Sequence, residues 1–178
     1  DPNTAVNSVN TATLTSANGI DTLTGIEWVK TGAGDDWLIG SAGANRLEGG
    51  LGNDWLQGGL GNDTLVGGLG TDLIDYSDIT GGGITVVIND LAAGAVTTTG
   101  TATGSGGTDT LYGIESVLGT WQGDGITTNS EANWLDGGAG DDTLIAGDGN
   151  DTVVFDSADG SVHGGAGTDT LWVREAEV

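Results

Sequence analysis

Apolar residues recur along this chain every nine positions. Leu38, Leu47, Leu56, Leu65 and Ile74 are spaced in this way, and each sits centrally in a short stretch of strand character that follows a run of Gly with Asp or Asn. The clearest copies read Gly49-Gly50-Leu51-Gly52-Asn53-Asp54-Trp55-Leu56-Gln57, Gly58-Gly59-Leu60-Gly61-Asn62-Asp63-Thr64-Leu65-Val66 and Gly67-Gly68-Leu69-Gly70-Thr71-Asp72-Leu73-Ile74-Asp75. Thr31 to Ile39 and Gly40 to Glu48 precede them in phase. A second block keeps the phase from Gly119 to Trp172, clearest at Gly137 to Ile145, Ala146 to Val154 and Gly164 to Trp172, with Ile126, Leu135 and Val162 at the apolar position of its weaker copies. Six turn-forming residues followed by three of strand character describe one tight turn and one very short strand. Two nonapeptides then complete a coil, so turns on one side recur eighteen residues apart and neighbouring strands lie about 4.8 Å apart. The expectation is an all-β coil of stacked turns. No segment shows helical apolar periodicity.

The two blocks are related to each other. Asp21-Thr22-Leu23-Thr24-Gly25-Ile26-Glu27 recurs as Asp109-Thr110-Leu111-Tyr112-Gly113-Ile114-Glu115, and the same shift of 88 aligns Asp36 with Asp124 and Asp54 with Asp142, as in a tandem duplication. Between the blocks, Ile84-Thr85-Val86-Val87-Ile88 predicts a strand, and the Thr- and Gly-rich stretch from Thr97 to Gly107 predicts a loop or a poorly ordered edge. The expected organisation is an N-terminal strand and cap segment (1–30), a first repeat block (31–75), an intervening β-rich segment (76–118), a second repeat block (119–172) and a short tail (173–178). Whether the blocks make one roll or two is open at this level.

Charge sharpens the picture. Three Lys and Arg stand against 26 Asp and Glu, a formal net charge of −23, which excludes an unaided nucleic-acid binder because phosphate contacts need basic residues. So much uncompensated negative charge opposes compaction in a chain with only 36% hydrophobic residues. A positive partner is required from outside the sequence. Cys is absent, which removes disulfides and thiolate metal sites. No apolar run is long enough to span a membrane as a helix. The lack of any Met, including an initiator, fits a processed or excised piece of a longer polypeptide.

Gly permits the positive φ of tight turns and lets backbone carbonyls come close to an ion, while Asp at the sixth position supplies a hard anionic oxygen. Oxygen ligands contributed by successive turns favour Ca²⁺ over Mg²⁺, which keeps its waters and demands strict octahedral geometry. The pattern Gly-Gly-x-Gly-x-Asp-x-apolar-x resembles the RTX (repeats-in-toxin) nonapeptide family over most of the chain. That resemblance implies a parallel β-roll solenoid with calcium in its stacked turns, type I secretion from bacteria, an extracellular or cell-surface location, and folding on contact with extracellular calcium.

Carried over residue by residue, the resemblance places Asp36, Asp54 and Asp72 on one side of the first block and Asn45 and Asp63 on the other. In the second block it places Asp124 with Asp142, and Asn133 with Asp151 and Asp169. The accompanying turn glycines are Gly32, Gly34, Gly50, Gly52, Gly59, Gly61, Gly68, Gly70, Gly138, Gly140, Gly147, Gly149, Gly165 and Gly167. Asn45 and Asn133 supply neutral oxygens, and Gly160 follows Asp142 on its side, so those sites are expected to be weaker or absent. Pairing same-side neighbours suggests about six ions, cancelling roughly half of the charge.

No catalytic constellation emerges. His163 is the only His, no Gly-x-Ser-x-Gly motif occurs, and the conspicuous Asp residues are taken up by the repeat. The resemblance also covers modules that bind ice through an ordered row of Thr and Asn at the turn positions, but here that row reads Ala33, Leu51 and Leu69, with Ala42 and Leu60 opposite, which argues against ice binding. Trp37 and Trp55 sit one coil apart on an outward row that the other block or the intervening segment is expected to cover. Left uncovered, Trp37 and Trp55, with Leu51, Leu60 and Leu69 at the turn tips, form a surface for self-association or a partner. The functional expectation is a non-enzymatic, calcium-binding structural module of a surface layer, adhesin or fibre. The alternative is the C-terminal folding and secretion module of a toxin, protease or lipase.

Overall fold

A computed structural model describes residues 12–16, 19–23, 26–91 and 97–174. All regular elements among them are strands. The first part of the chain forms β1 (Ala12–Ser16), β2 (Gly19–Leu23), β3 (Trp28–Lys30), β4 (Trp37–Ser41), β5 (Arg46–Leu51), β6 (Trp55–Gly59), β7 (Thr64–Leu69) and β8 (Leu73–Asp75). The stretch between the blocks forms β9 (Ile84–Asn89), β10 (Thr99–Gly104), β11 (Gly107–Tyr112) and β12 (Ser116–Leu118). The remainder forms β13 (Gly125–Thr127), β14 (Trp134–Asp136), β15 (Thr143–Ile145), β16 (Asp148–Gly149), β17 (Thr152–Phe155), β18 (Ser161–His163), β19 (Ala166–Gly167) and β20 (Thr170–Val173).

Successive repeat strands alternate between two sheets. One runs β2-β1-β4-β6-β8-β12-β14-β17-β20 and the other β18-β15-β13-β9-β10-β11-β7-β5-β3, while β16 and β19 pair in a turn. The parallel pairs of the first block hold the eighteen-residue register, with Leu38 beside Leu56 and Leu47 beside Leu65. Both inward rows belong to one continuous core that includes Leu38, Leu47, Leu56, Leu65, Ile74, Ile126, Leu135 and Leu144. Each such side chain contributes about 1.5–3 kcal/mol relative to its exposed state. Val162 packs at the edge of the core, whereas Leu171, on the last coil, is 53% exposed. The two blocks are one roll: β12 pairs in parallel with β8 on one side and β14 on the other.

The segment between the blocks is built into the roll. β9, β10 and β11 form an antiparallel meander whose outer strands join the parallel ladders at β13 and β7. The stretch from Thr97 to Gly107 is therefore mostly strand, not the expected loop. Its residues alternate with period two: Thr99, Thr101 and Thr103 face outward while Gly100 and Ala102 face inward. Small inward residues leave room for Tyr76 and Ile79, which enter the core from the β8–β9 connection. Together these groups leave a void of only about 10 Å³.

The aromatic row also differs from expectation. Trp37 and Trp55 stack with ring centroids 4.6 Å apart, and the Trp55 indole N–H donates to Asp75 Oδ2 at 3.0 Å. Because the intervening segment lies within the roll instead of over it, Trp37 stays 40% exposed. The tip residues Leu51, Leu60 and Leu69 are exposed too.

Candidate metal centre

The regular turns are shaped by glycines at their second and fourth positions. Gly50 and Gly52 have φ of 113° and 127°, and a Cβ on Gly52 would come within 2.4 Å of Gly34 O in the coil before. Only a residue without a side chain allows coils to stack so closely. Positive φ recurs at the other turn glycines expected to line the sites, with Gly32 as the exception.

This stacking aligns the sixth-position side chains into rows along the two edges of the roll. On the edge leading into the β4 sheet, the Asp36 N–H donates to Asp54 Oδ1 at 2.9 Å and the Asp54 N–H to Asp72 Oδ1 at 2.8 Å. The row then crosses the block boundary, because the Asp72 N–H donates to Glu115 Oε2 at 2.9 Å. Beyond Glu115, Asn133 donates its N–H to Asp151 Oδ1 at 2.8 Å and Asp151 donates to Asp169 Oδ1 at 3.1 Å. On the opposite edge the Asn45 N–H donates to Asp63 Oδ1 and the Asp63 N–H to Asp109 Oδ1, both at 2.8 Å. That row resumes beyond the meander, where the Asp124 N–H donates to Asp142 Oδ1 at 2.8 Å.

One oxygen of each carboxylate after Asp36 is thereby committed to the backbone. The other is not: Oδ2 of Asp54, Asp63, Asp72, Asp142 and Asp151, and both oxygens of Asp36, are buried with no hydrogen-bond partner. A buried unpaired acceptor of this kind costs about 1–3 kcal/mol, and more when charged. Desolvation raises the Asp63 carboxyl to about 7, Asp72 to about 6 and Glu115 to about 7. Burial also moves Asp36, Asp54, Asp142 and Asp151 upward. Protein cations do not relieve these rows. Lys30 and Arg46 are paired with Glu48, and Arg174 with Asp136.

Side-chain oxygens of the rows lie close to backbone carbonyls of the next coil. A Cβ on Gly67 would lie 2.3 Å from Asp72 Oδ2 and 2.2 Å from Gly113 O, and one on Gly40 would lie 2.6 Å from Asn45 Oδ1 and 2.2 Å from Gly58 O. The first turn position therefore brings its own coil's side-chain oxygen together with the next coil's carbonyl. Among the described residues no three acidic or His side chains converge on one point, so a cation seated here draws on backbone carbonyls as well as carboxylates. Hard oxygens from a flexible backbone suit Ca²⁺.

The individual positions are not equivalent. Both Asp124 oxygens are already engaged, Oδ1 by the Ile84 N–H at 2.7 Å and Oδ2 by the Thr120 N–H at 2.6 Å. Asn45 Oδ1 accepts the Ser41 N–H at 2.7 Å, and Asp169, on the last coil, is exposed. Gly160 holds the place after Asp142 and offers no side chain.

Glu115 and Asp109 were missed by the repeat reading. Glu115 lies nine residues before Asp124, so extending the second block back by one repeat finds it, with Val117 at the apolar position. Asp109 is out of phase, and its sequence signal is the triplet Asp109-Thr110-Leu111, which repeats both Asp63-Thr64-Leu65 and Asp21-Thr22-Leu23. The Asp109 environment differs as well: Oδ2 accepts the buried Tyr76 hydroxyl at 2.8 Å, and burial raises its carboxyl.

A family model for the RTX calcium-binding nonapeptide repeat matches residues 17–56, 39–74, 127–162 and 159–174. No curated protein matches the chain.

Proposed function

Because the chain belongs to the RTX calcium-binding nonapeptide repeat family, we propose that it is a calcium-folded structural module of a secreted bacterial surface or extracellular-assembly protein. The observation that carries this reading is the row of buried carboxylate oxygens with no protein partner. Asp36, Asp54, Asp72, Asp63, Asp142 and Asp151 hold the ions, with the carbonyls of neighbouring turns; Asn45, Asn133, Asp124 and Asp169 make weaker or incomplete sites. About six ions fit the paired positions. Bound calcium supplies positive charge and accepts a flexible sphere of six to eight oxygens.

Without such ions the carboxylates repel one another along both edges and hold the chain expanded, the state suited to export. In extracellular calcium the same carboxylates draw adjacent turns together, and the inward Leu and Ile rows are buried as a consequence. Metal affinity is then folding free energy. The module has a structural role, and its folding is its response to calcium.

The assembly part of the reading is supported by apolar groups that a solitary monomer has no use for. Leu69 is 69% exposed, and Leu51, Leu60 and the Trp37 side of the aromatic row are also open. Sedimentation velocity with and without about 5 mM calcium, with circular dichroism on the same samples, tests both parts. Calcium-dependent β structure with large ordered assemblies is the expected result. A compact monomer supports instead a folding and secretion module whose parent protein carries the activity, and an unchanged expanded chain overturns the calcium reading.

A further inference from the structure

We propose that a divalent cation bridges the two repeat blocks between Asp72 and Glu115, at a site whose second half is a shortened turn, residues 113–115, in place of a six-residue repeat turn. The inference rests on the calcium reading above. Asp72 is completely buried, and its Oδ2 has no partner. That oxygen and Gly113 O converge beside the Cα of Gly67, at 2.3 and 2.2 Å from where a Cβ would be. Gly113 and Glu115 both lie in the stretch that the repeat family does not match.

Glu115 takes the place of a sixth-position Asp by a different local route. Tyr112 pairs with Val66 and Ser116 with Leu73, so residues 113–115 cover the ground that residues 67–72 cover in the coil before. The turn is three residues shorter, and the acidic side chain is one methylene longer. Glu115 Oε2 nevertheless accepts the Asp72 N–H at 2.9 Å, as Asp72 Oδ1 accepts the Asp54 N–H at 2.8 Å. The two carboxylates on stacked coils and the Gly113 carbonyl beside Asp72 Oδ2 are hard-oxygen donors, and water completes the sphere of a Ca²⁺ ion.

On the opposite edge of the same junction Asp63 keeps an unpartnered Oδ2, but its stacked neighbour Asp109 has a protein partner. There the Tyr76 hydroxyl donates to Asp109 Oδ2 at 2.8 Å, meeting with a proton the oxygen that Asp54 and Asp72 leave unpartnered. The junction is thus held by a cation on one flank and a phenol on the other.

Native mass spectrometry of the calcium-loaded chain, counting ions per folded molecule, tests the site. Glu115→Gln is expected to lose one ion relative to the parent chain, and Tyr76→Phe to keep the full number. Asp54→Asn, inside the regular repeat, serves as the control for the underlying reading and also loses ions. If Asp54→Asn loses ions and Glu115→Gln loses none, the bridging site is wrong while the repeat sites stand. A parent chain that binds no calcium overturns both. Should Glu115→Gln not fold, Gly67→Ala answers the same question, since it keeps both acidic residues and puts a methyl group where Asp72 Oδ2 and Gly113 O converge. Loss of one ion supports the site, and an unchanged count overturns it.

Discussion

A sixth-position Asp does two separable things. In Asp54, Oδ1 receives the Asp36 N–H while Oδ2 is left over. Asp54→Asn keeps an acceptor and removes the charge, whereas Asp54→Ala also strands a buried N–H at about 1–3 kcal/mol. The calcium midpoint for folding, followed by circular dichroism, is expected to rise for Asn and further for Ala, with a much smaller change for Asp169→Ala at the exposed end. Equal shifts at Asp54 and Asp169 would argue against stacking. The raised carboxyls set the pH dependence. Values of about 7 at Asp63 and about 6 at Asp72 in the folded chain exceed the unfolded value of about 3.9. Their contribution to the cation-free roll is therefore full below the unfolded value and lost as pH rises through about 6 to 7. A chelated sample should show more β structure at about pH 5 than at about pH 7.5, and calcium should reverse that order. These Asp positions were legible in the sequence because each is fixed by phase. The protein partners that distinguish Asp124, tied to Thr120 and Ile84, from Asp142 were not, since both sit at the same repeat position.

At the scale of strands and turns, the glycines divide by what they face. A Cβ on Gly137 would lie 2.1 Å from Asp142 Oδ2, whereas one on Gly125 meets only Thr85 Oγ1 at 3.9 Å, and neither has a positive φ. Gly137→Ala should raise the calcium requirement sharply. Gly125→Ala should be neutral or stabilise by about 0.4–1 kcal/mol through the unfolded state. Thermal melts of both variants at saturating and limiting calcium check the contrast; equal destabilisation would remove the link between first-position glycines and the ion sites. The short repeat strands were predictable from a period of nine, and β9 from its unbroken run of β-branched residues. β10 was not, because Thr, Gly and Ala also make up loops. What selects strand there is tertiary: Gly100 and Ala102 are the sizes that the packed β8–β9 connection leaves room for. Tyr76 was equally silent, since its partner Asp109 lies 33 residues away and out of phase.

For the whole molecule, two sheets with a core one side chain deep bury the inward Leu side chains from Leu38 to Leu144 but leave Leu171, much of the broad faces and the turn tips exposed. If assembly is the function, replacing Leu51, Leu60 and Leu69 by Ser should abolish large calcium-dependent species in sedimentation velocity while leaving calcium-driven compaction intact. Persistence of the large species would move the interface elsewhere, with the Trp37 row as the next surface to change. The continuity of the roll across the blocks was not legible, because it depends on β8 meeting β12 past a meander with no repeat pattern. That meander has a further consequence. The repeats from Gly49 to Asp75 are nearly interchangeable, so a slip of eighteen residues would bury the same Leu side chains and offer the same Asp oxygens. Nothing inside the block tells one coil from the next. The hydrogen bond from Tyr76 to Asp109 and the antiparallel hairpins of β9, β10 and β11 occur once, and a single alignment satisfies them. They act as an index mark on an otherwise uniform scale, fixing the position from which every coil on either side is counted.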